Sequence, residues 1–245
     1  MTGSDPGAHD AWERNAQWWI DGFTDGADPE YTEQILPLAR QWLAGAAHVL
    51  DIGTGDGQIA RLVRADGAER VVGVDPTAAQ LRAARERGGG VHYVRGSAEH
   101  VPARDASFDA VVACLVFEHL PDHVEPIREV ARVLRPGGRF VFFLNHPLLQ
   151  SPGSGWIDDH ILEEQYWRVG AYLTVDVSME TLAPGVVLPF VHRPLSQYVN
   201  TMAECGLTLD RMEEPAPPAG FLARASEYAE AATIPRLLLL VATRH

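Results

Sequence analysis

Short runs of aliphatic and β-branched residues alternate along the chain with segments whose apolar positions recur every three or four residues. The spacing predicts strands at about 47–52, 70–75, 91–95, 108–114 and 138–145, with helices at about 57–66, 77–87 and 123–134 between them. An Arg135-Pro136-Gly137-Gly138 turn is expected to end the last of these helices. Strands and helices in strict alternation predict an α/β fold with a doubly wound, mostly parallel sheet. The stretch to about Ala44 has a helical pattern, carries Trp12, Trp18, Trp19 and Trp42, and is broken by Gly22, Gly26 and Asp28-Pro29, so it reads as a cap. Past Pro147 the period is lost until about Pro189, and this stretch reads as an insertion over the pocket. A helix at about 195–204 and strands at 207–212 and 237–243 are expected to close a seven-stranded sheet with an antiparallel pair. The chain is therefore read as one domain, 1–245: a cap (1–44), a binding core (45–146), a lid insertion (147–192) and a closing segment (193–245).

Within that rhythm the run His48-Val49-Leu50-Asp51-Ile52-Gly53-Thr54-Gly55-Asp56-Gly57-Gln58 carries the first chemical signal. A buried strand that stops at an acidic residue, breaks into alternating glycines and opens a helix brings bare backbone against a ligand. The dinucleotide fingerprint G-x-G-x-x-G wants glycine where this chain has Gln58. Asp51 would also repel a pyrophosphate, yet it can accept hydrogen bonds from an ammonium group. The expected ligand is a nucleoside that carries an amino acid. A nicotinamide-dependent oxidoreductase is the rival reading on the same kind of sheet.

These residues resemble the class I S-adenosylmethionine-dependent methyltransferases of the small, single-domain kind, over roughly 47–145. The loop from Asp51 through Gly53, Thr54, Gly55 and Gly57 to Gln58 is similar to the family's methionine-binding loop. Asp75, followed by Pro76, stands where family members bind both ribose hydroxyls. Gly96-Ser97-Ala98-Glu99 is similar to the adenine segment, although many relatives carry Asp at the place of Ser97, whose hydroxyl can still bond the ring. Phe108-Asp109-Ala110-Val111-Val112 and Leu134-Arg135-Pro136-Gly137-Gly138 resemble the fourth-strand motif and the turn into the fifth strand. The resemblance implies a Rossmann-like fold, S-adenosyl-L-methionine as cofactor and methyl transfer as the reaction. A protein that binds the cofactor or its demethylated product without turnover is the rival outside catalysis.

Ligands of open α/β sheets bind at the carboxyl ends of the strands. Asp51, Asp75, Ser97, Cys114 and Asn145 all fall at or near such ends, so separate segments converge on one crevice. Asp51 either meets the ammonium or holds the loop, and Asp75 is expected at a solvent-facing strand end. No metal is required, because a sulfonium makes its own methyl group electrophilic. A base is optional; His119, after the fourth strand, is the first candidate and His146, after the fifth, the second. Trp19, Phe23 and Tyr31 from the cap, with Trp156, Tyr166 and Trp167 from the insertion, are the candidate acceptor wall. An aromatic or heteroaromatic small molecule follows, an indole of secondary metabolism or antibiotic biosynthesis being one option.

Charge and composition narrow the partners. A formal net charge of −13 argues against nucleic acid, which calls for a basic patch, and favours small neutral or cationic substrates. Two cysteines, Cys114 and Cys205, leave no disulfide framework and suggest a cytoplasmic setting. The longest apolar run, 237–242, is too short to span a bilayer, and nothing suggests export. The pattern leaves monomer and homodimer equally open.

Overall fold

The computed structural model describes residues 6–224 and 231–245. The first five residues of the expected cap and residues 225–230 of the closing segment lie outside the described residues. The chain opens with α1 (Pro6–Phe23), a π-helical turn (Tyr31–Ile35) and α2 (Leu36–Leu43). The core then runs β1 (His48–Ile52), α3 (Gln58–Ala65), β2 (Arg70–Asp75), α4 (Ala78–Glu86), β3 (His92–Arg95), β4 (Phe108–Cys114), a 3₁₀ turn (Phe117–His119), α5 (Val124–Val133) and β5 (Leu134–Asn145). A short α6 (Pro147–Gln150) leads to two hairpins, β6 (Gly155–Asp159) with β7 (Glu164–Arg168) and β8 (Asp176–Ala183) with β9 (Val186–His192). The last elements are α7 (Leu195–Glu204), β10 (Leu207–Glu213), α8 (Ala219–Arg224) and β11 (Leu237–Arg244).

Seven strands form one sheet in the order β10-β11-β5-β4-β1-β2-β3. The first five strands in the chain pair parallel, and β11 is antiparallel to both β5 and β10. This is the expected doubly wound, Rossmann-like sheet. Its core has two layers because strand side chains alternate between faces. Leu50, Ile52, Val72, Val74, Val111, Phe140, Phe142 and Leu240 point to one face and meet Ile127, Val130 and Val133 of α5 and Tyr198 and Met202 of α7. Val49, Val71, Val112, Val141, Phe143, Leu239 and Val241 point to the other and meet Ala39 and Leu43 of α2 and Ile59, Ala60 and Val63 of α3. Each such side chain contributes about 1.5–3 kcal/mol on full burial. Strands buried on both faces read as continuous apolar runs, which is why they stood out in the sequence.

Two expectations change. The Arg135–Gly138 segment does not form a free turn before the strand: α5 stops at Val133, Leu134 already pairs with Phe108, and the ladder slips before Ala110 meets Arg139. Gly137, at φ +77°, carries the backbone through this bulge. The Arg135 guanidinium pairs with the Asp109 carboxylate, which also accepts a bond from the His48 backbone N–H at 2.8 Å. The insertion after β5, read as lacking a period, consists of the two hairpins. Neither presents a uniformly apolar face, as Asp176, Ser178, Glu180 and Thr181 in β8 show, so alternation alone did not reveal them.

Candidate active site

The strand order reverses between β1 and β4, and a cavity opens at the carboxyl ends there. Gly53 and Thr54 continue the β1 ladder by donating to the Val74 carbonyl at 2.8 and 3.0 Å. The chain then turns through Gly53, Gly55 and Gly57, all at positive φ. A Cβ on Gly53 would lie 2.3 Å from Val116, and one on Gly57 2.2 Å from the Tyr93 hydroxyl, so both must be glycine for packing as well as conformation. On Gly55 a Cβ would meet nothing closer than Gln80 Oε1 at 3.9 Å, which leaves that backbone open to the cavity.

Two carboxylates anchor this loop. Asp51 accepts the Thr54 hydroxyl at 2.7 Å, and burial pushes its carboxyl up to about 7. Asp75 accepts from the Gly55 N–H at 2.9 Å and the Thr77 N–H at 2.8 Å, one on each oxygen. It is 7% exposed, so the expectation of a solvent-facing strand end is corrected: the residue is buried by α4 and the loop it holds. A carboxylate offers only acceptors, which is the chemistry a ligand hydroxyl requires.

Of the residues read from the sequence, Asp51, Gly53, Thr54, Gly55, Gln58, Asp75, Pro76, Ser97, Ala98, Glu99, Cys114, His119, Trp19 and Tyr31 line this one cavity. The others do not. Phe23 lies behind the wall, stacked on Trp19 at 4.2 Å. Trp156 and Trp167 face each other across the β6–β7 hairpin at 5.5 Å, and Tyr166 on the same hairpin is largely exposed. His146 caps α6, accepting from the Leu148 N–H at 3.1 Å, while its Nε2 lies 2.7 Å from Glu214. His146 sits instead against the connection between β10 and β11, where its backbone N–H also donates to the Arg236 carbonyl at 2.7 Å.

Sequence reading also missed wall residues. Trp12 lies two turns before Trp19 on α1, a spacing that puts both on one helix face, and both line the cavity. Gln80 sits beside Leu81 and Ala84 on the buried face of α4, where a polar residue is out of place unless a ligand meets it. Leu115 follows β4 at φ +55°, a conformation that costs a non-glycine residue about 1–3 kcal/mol and is found at functional sites.

His119 is held from several sides. Its Nδ1 lies 2.8 Å from the Pro189 carbonyl, and its ring is edge-on to Trp12 at 4.8 Å and to Phe190 at 5.1 Å. A carbonyl only accepts, so Nδ1 carries the proton and Nε2 keeps its lone pair. Burial lowers its pKa to about 4, which leaves the imidazole neutral. The preceding Glu118 is buried and accepts from both the backbone N–H and the side-chain amide of Asn145, at 3.1 and 2.8 Å. Arg193, also buried, donates to the carbonyls of Phe117, Leu120 and Pro121 at 3.1, 2.5 and 2.8 Å. The turn that bears His119 is thereby tied to β5, β9 and the start of α7.

The cavity suits an adenosyl amino acid on two counts. Gln80 Oε1 and Glu99 Oε2 are buried acceptors without a protein partner, and with Asp51 they call for donors such as ammonium and amino groups. The opening turn of α3 also turns its N–H ends and the positive end of its dipole toward the loop, as a carboxylate requires, and its Ala60 N–H already bonds Asp51. Among the described residues no cluster of His, Cys, Asp and Glu is arranged to hold a metal ion. No helix of the described residues is long and apolar enough to cross a membrane.

Residues 50–142 match the family described as a methyltransferase domain. The chain is 37% identical over 143 residues to a demethylmenaquinone methyltransferase of Lactiplantibacillus plantarum, covering 50% of this chain and 60% of that protein. It is 32% identical over 176 residues to the demethylmenaquinone methyltransferase of Deinococcus radiodurans, covering 63% of this chain and 70% of that one. An S-adenosylmethionine dependent methyltransferase from Mesorhizobium loti has a similar structure, with a TM-score of 0.74, 29% identity, and coverage of 85% of this chain and 96% of that. With the glycine loop, Asp75 at the end of β2 and the sheet order already in place, the chain belongs to the class I S-adenosylmethionine-dependent methyltransferases.

Proposed function

We propose that this protein transfers a methyl group from S-adenosyl-L-methionine to a small, uncharged ring compound that offers a hydrogen-bond donor. The observation that carries this reading is the neutral His119, locked by Pro189, at a wall otherwise built of Trp12, Trp19, Tyr31, Leu115 and Leu120. Among the described residues lining the cavity there is no lysine or arginine, and the charged groups are Asp51, Asp56, Asp75 and Glu99. Such a wall repels acceptors that carry a carboxylate or phosphate and stacks on flat apolar ones.

The roles follow from geometry. Asp51, Gly55 and the start of α3 would hold the amino acid end of the cofactor, Asp75 the ribose, and Ser97 to Glu99 the adenine. The bound sulfonium supplies an electrophilic methyl group. The protein aligns the acceptor, shields it from water and takes a hydrogen bond from it at His119 Nε2. Alignment of this kind can be worth about 7–11 kcal/mol, against a factor of about 10² to 10⁴ for a base. A pKa of about 4 makes His119 a better hydrogen-bond acceptor than base, so positioning dominates.

The names of the two demethylmenaquinone methyltransferases agree with a quinone-type ring acceptor, and an indole remains within the class of neutral ring compounds. Labelled donor offered with neutral phenols, hydroquinones and indoles, and with their carboxylated or phosphorylated counterparts, tests the proposal. Label is expected in a neutral ring compound. Transfer confined to the anionic set would overturn it, and cofactor binding with no transfer to any acceptor would favour a non-catalytic binding protein.

A further inference from the structure

Helix α4 begins directly after the ribose strand, and its N-cap, Thr77, makes no side-chain cap of its own. The missing acceptor comes from a distant element. Glu13 of α1 accepts from the Ala78 N–H at 2.7 Å with one carboxylate oxygen and from the Ala79 N–H at 3.0 Å with the other. These are first-turn donors that have no partner within their own helix, and a carboxylate there also meets the positive end of the helix dipole.

The same helix forms the roof of the cofactor cavity, since Trp12 and Trp19 flank Glu13 and line it. Further ties run along α1 toward the core. Gln80 Nε2 lies 3.5 Å from the Ala16 carbonyl, and Gln58 Nε2 donates to the Phe23 carbonyl at 2.9 Å. Just beyond the helix, Asp25 pairs with Arg87 at 3.2 Å. Gln58 and Gln80 themselves line the cavity, so α1 is fastened to the residues that surround the cofactor. All these bonds join groups of the chain itself, so they oppose lifting of α1 whichever nucleoside lies beneath.

We propose that Glu13 is a positioning residue that latches α1 over the cofactor by capping α4, and that this latch sets how fast the nucleoside exchanges. The inference rests on membership of the methyltransferase family and is independent of the acceptor proposed above. A gate of this kind has a kinetic signature that an ordinary binding contact lacks. A contact made only with the bound ligand changes mainly the dissociation rate, whereas a latch between two parts of the protein slows entry and exit alike.

The test is stopped-flow tryptophan fluorescence of S-adenosylhomocysteine binding and chase, for wild type, Glu13→Gln and Glu13→Ala. In Glu13→Ala both rate constants should rise about five- to tenfold, the equivalent of one capping interaction of about 1–1.4 kcal/mol. The dissociation constant should change by less than about threefold, and Glu13→Gln, which keeps one acceptor oxygen, should fall between. Hydrogen exchange of the Ala78 and Ala79 amides gives a second readout, with the protection seen in wild type lost in Glu13→Ala and reduced in Glu13→Gln. Unchanged rates, a rise in dissociation alone, or equal exchange in wild type and variants would each overturn the latch. If Glu13→Ala does not fold, Glu13→Gln and the exchange data decide by the same criteria. Wild type that binds no S-adenosylhomocysteine would instead count against the family reading, a distinct outcome.

Discussion

Asp75 shows how one side chain can join two parts of a fold. Its two oxygens take the Gly55 and Thr77 N–H groups and so join the glycine loop to the start of α4. Asp75→Ala leaves two buried donors unpaired, each costing about 1–3 kcal/mol, so calorimetric cofactor affinity and the thermal midpoint should both fall. Asp75→Asn, which keeps one carbonyl acceptor, should restore part of the midpoint and little of the affinity. His119 makes a different prediction, because its pKa of about 4 keeps it neutral across the working range. With an acceptor from the label panel, kcat should show no limb near pH 6.5, and His119→Ala should lower kcat by about tenfold, the loss of one hydrogen bond of about 0.5–1.5 kcal/mol, with cofactor affinity retained. An acid limb near 6.5 that disappears in the variant would identify an ordinary titrating base. Asp75 and His119 were both legible as residue types at strand ends. Their burial was not, because it depends on α4, β9 and α1 arriving from elsewhere in the chain.

At the scale of elements, the turn after β4 is the most constrained part of the site. Glu118 is buried there, and its carboxyl is pushed up to about 7, chiefly by desolvation. In the unfolded chain the group titrates near 4.5, so between about pH 4.5 and 7 the native state binds more protons. Its contribution to stability is therefore lost as pH rises through about 7. Glu118→Gln keeps an acceptor for both Asn145 donors and removes the buried charge. Its thermal midpoint should gain on wild type between pH 5 and pH 8, and a gap that narrows over that range would contradict the account. The strands were readable as continuous apolar runs and the core helices by their periodic apolar faces. The two hairpins were not, since their mixed faces depend on what they pack against. Trp156, Tyr166 and Trp167 were accordingly assigned to a wall they do not reach, whereas Trp12, in register with Trp19, does.

For the molecule as a whole, binding of an adenosyl nucleoside should couple to global stability, because the ligand joins loop, sheet and roof. At about 100 times its dissociation constant S-adenosylhomocysteine should add about 2.7 kcal/mol, which for a chain of this size is a midpoint shift of about 5–10 °C. NADH at the same concentration should give none, and a comparable shift with NADH would reopen the nicotinamide reading. The sequence by itself determined the doubly wound sheet, its antiparallel closing pair and the class of cofactor. Those features are written locally, in apolar runs buried on both faces and in a loop whose glycines bring backbone to a ligand. Only the tertiary structure decided which aromatic rings form the wall, which nitrogen of His119 is free, and that a carboxylate of α1 caps α4. These depend on contacts between residues 65 or more positions apart, as with Glu13 and Ala78, and no local pattern encodes which distant group will meet an unpaired donor.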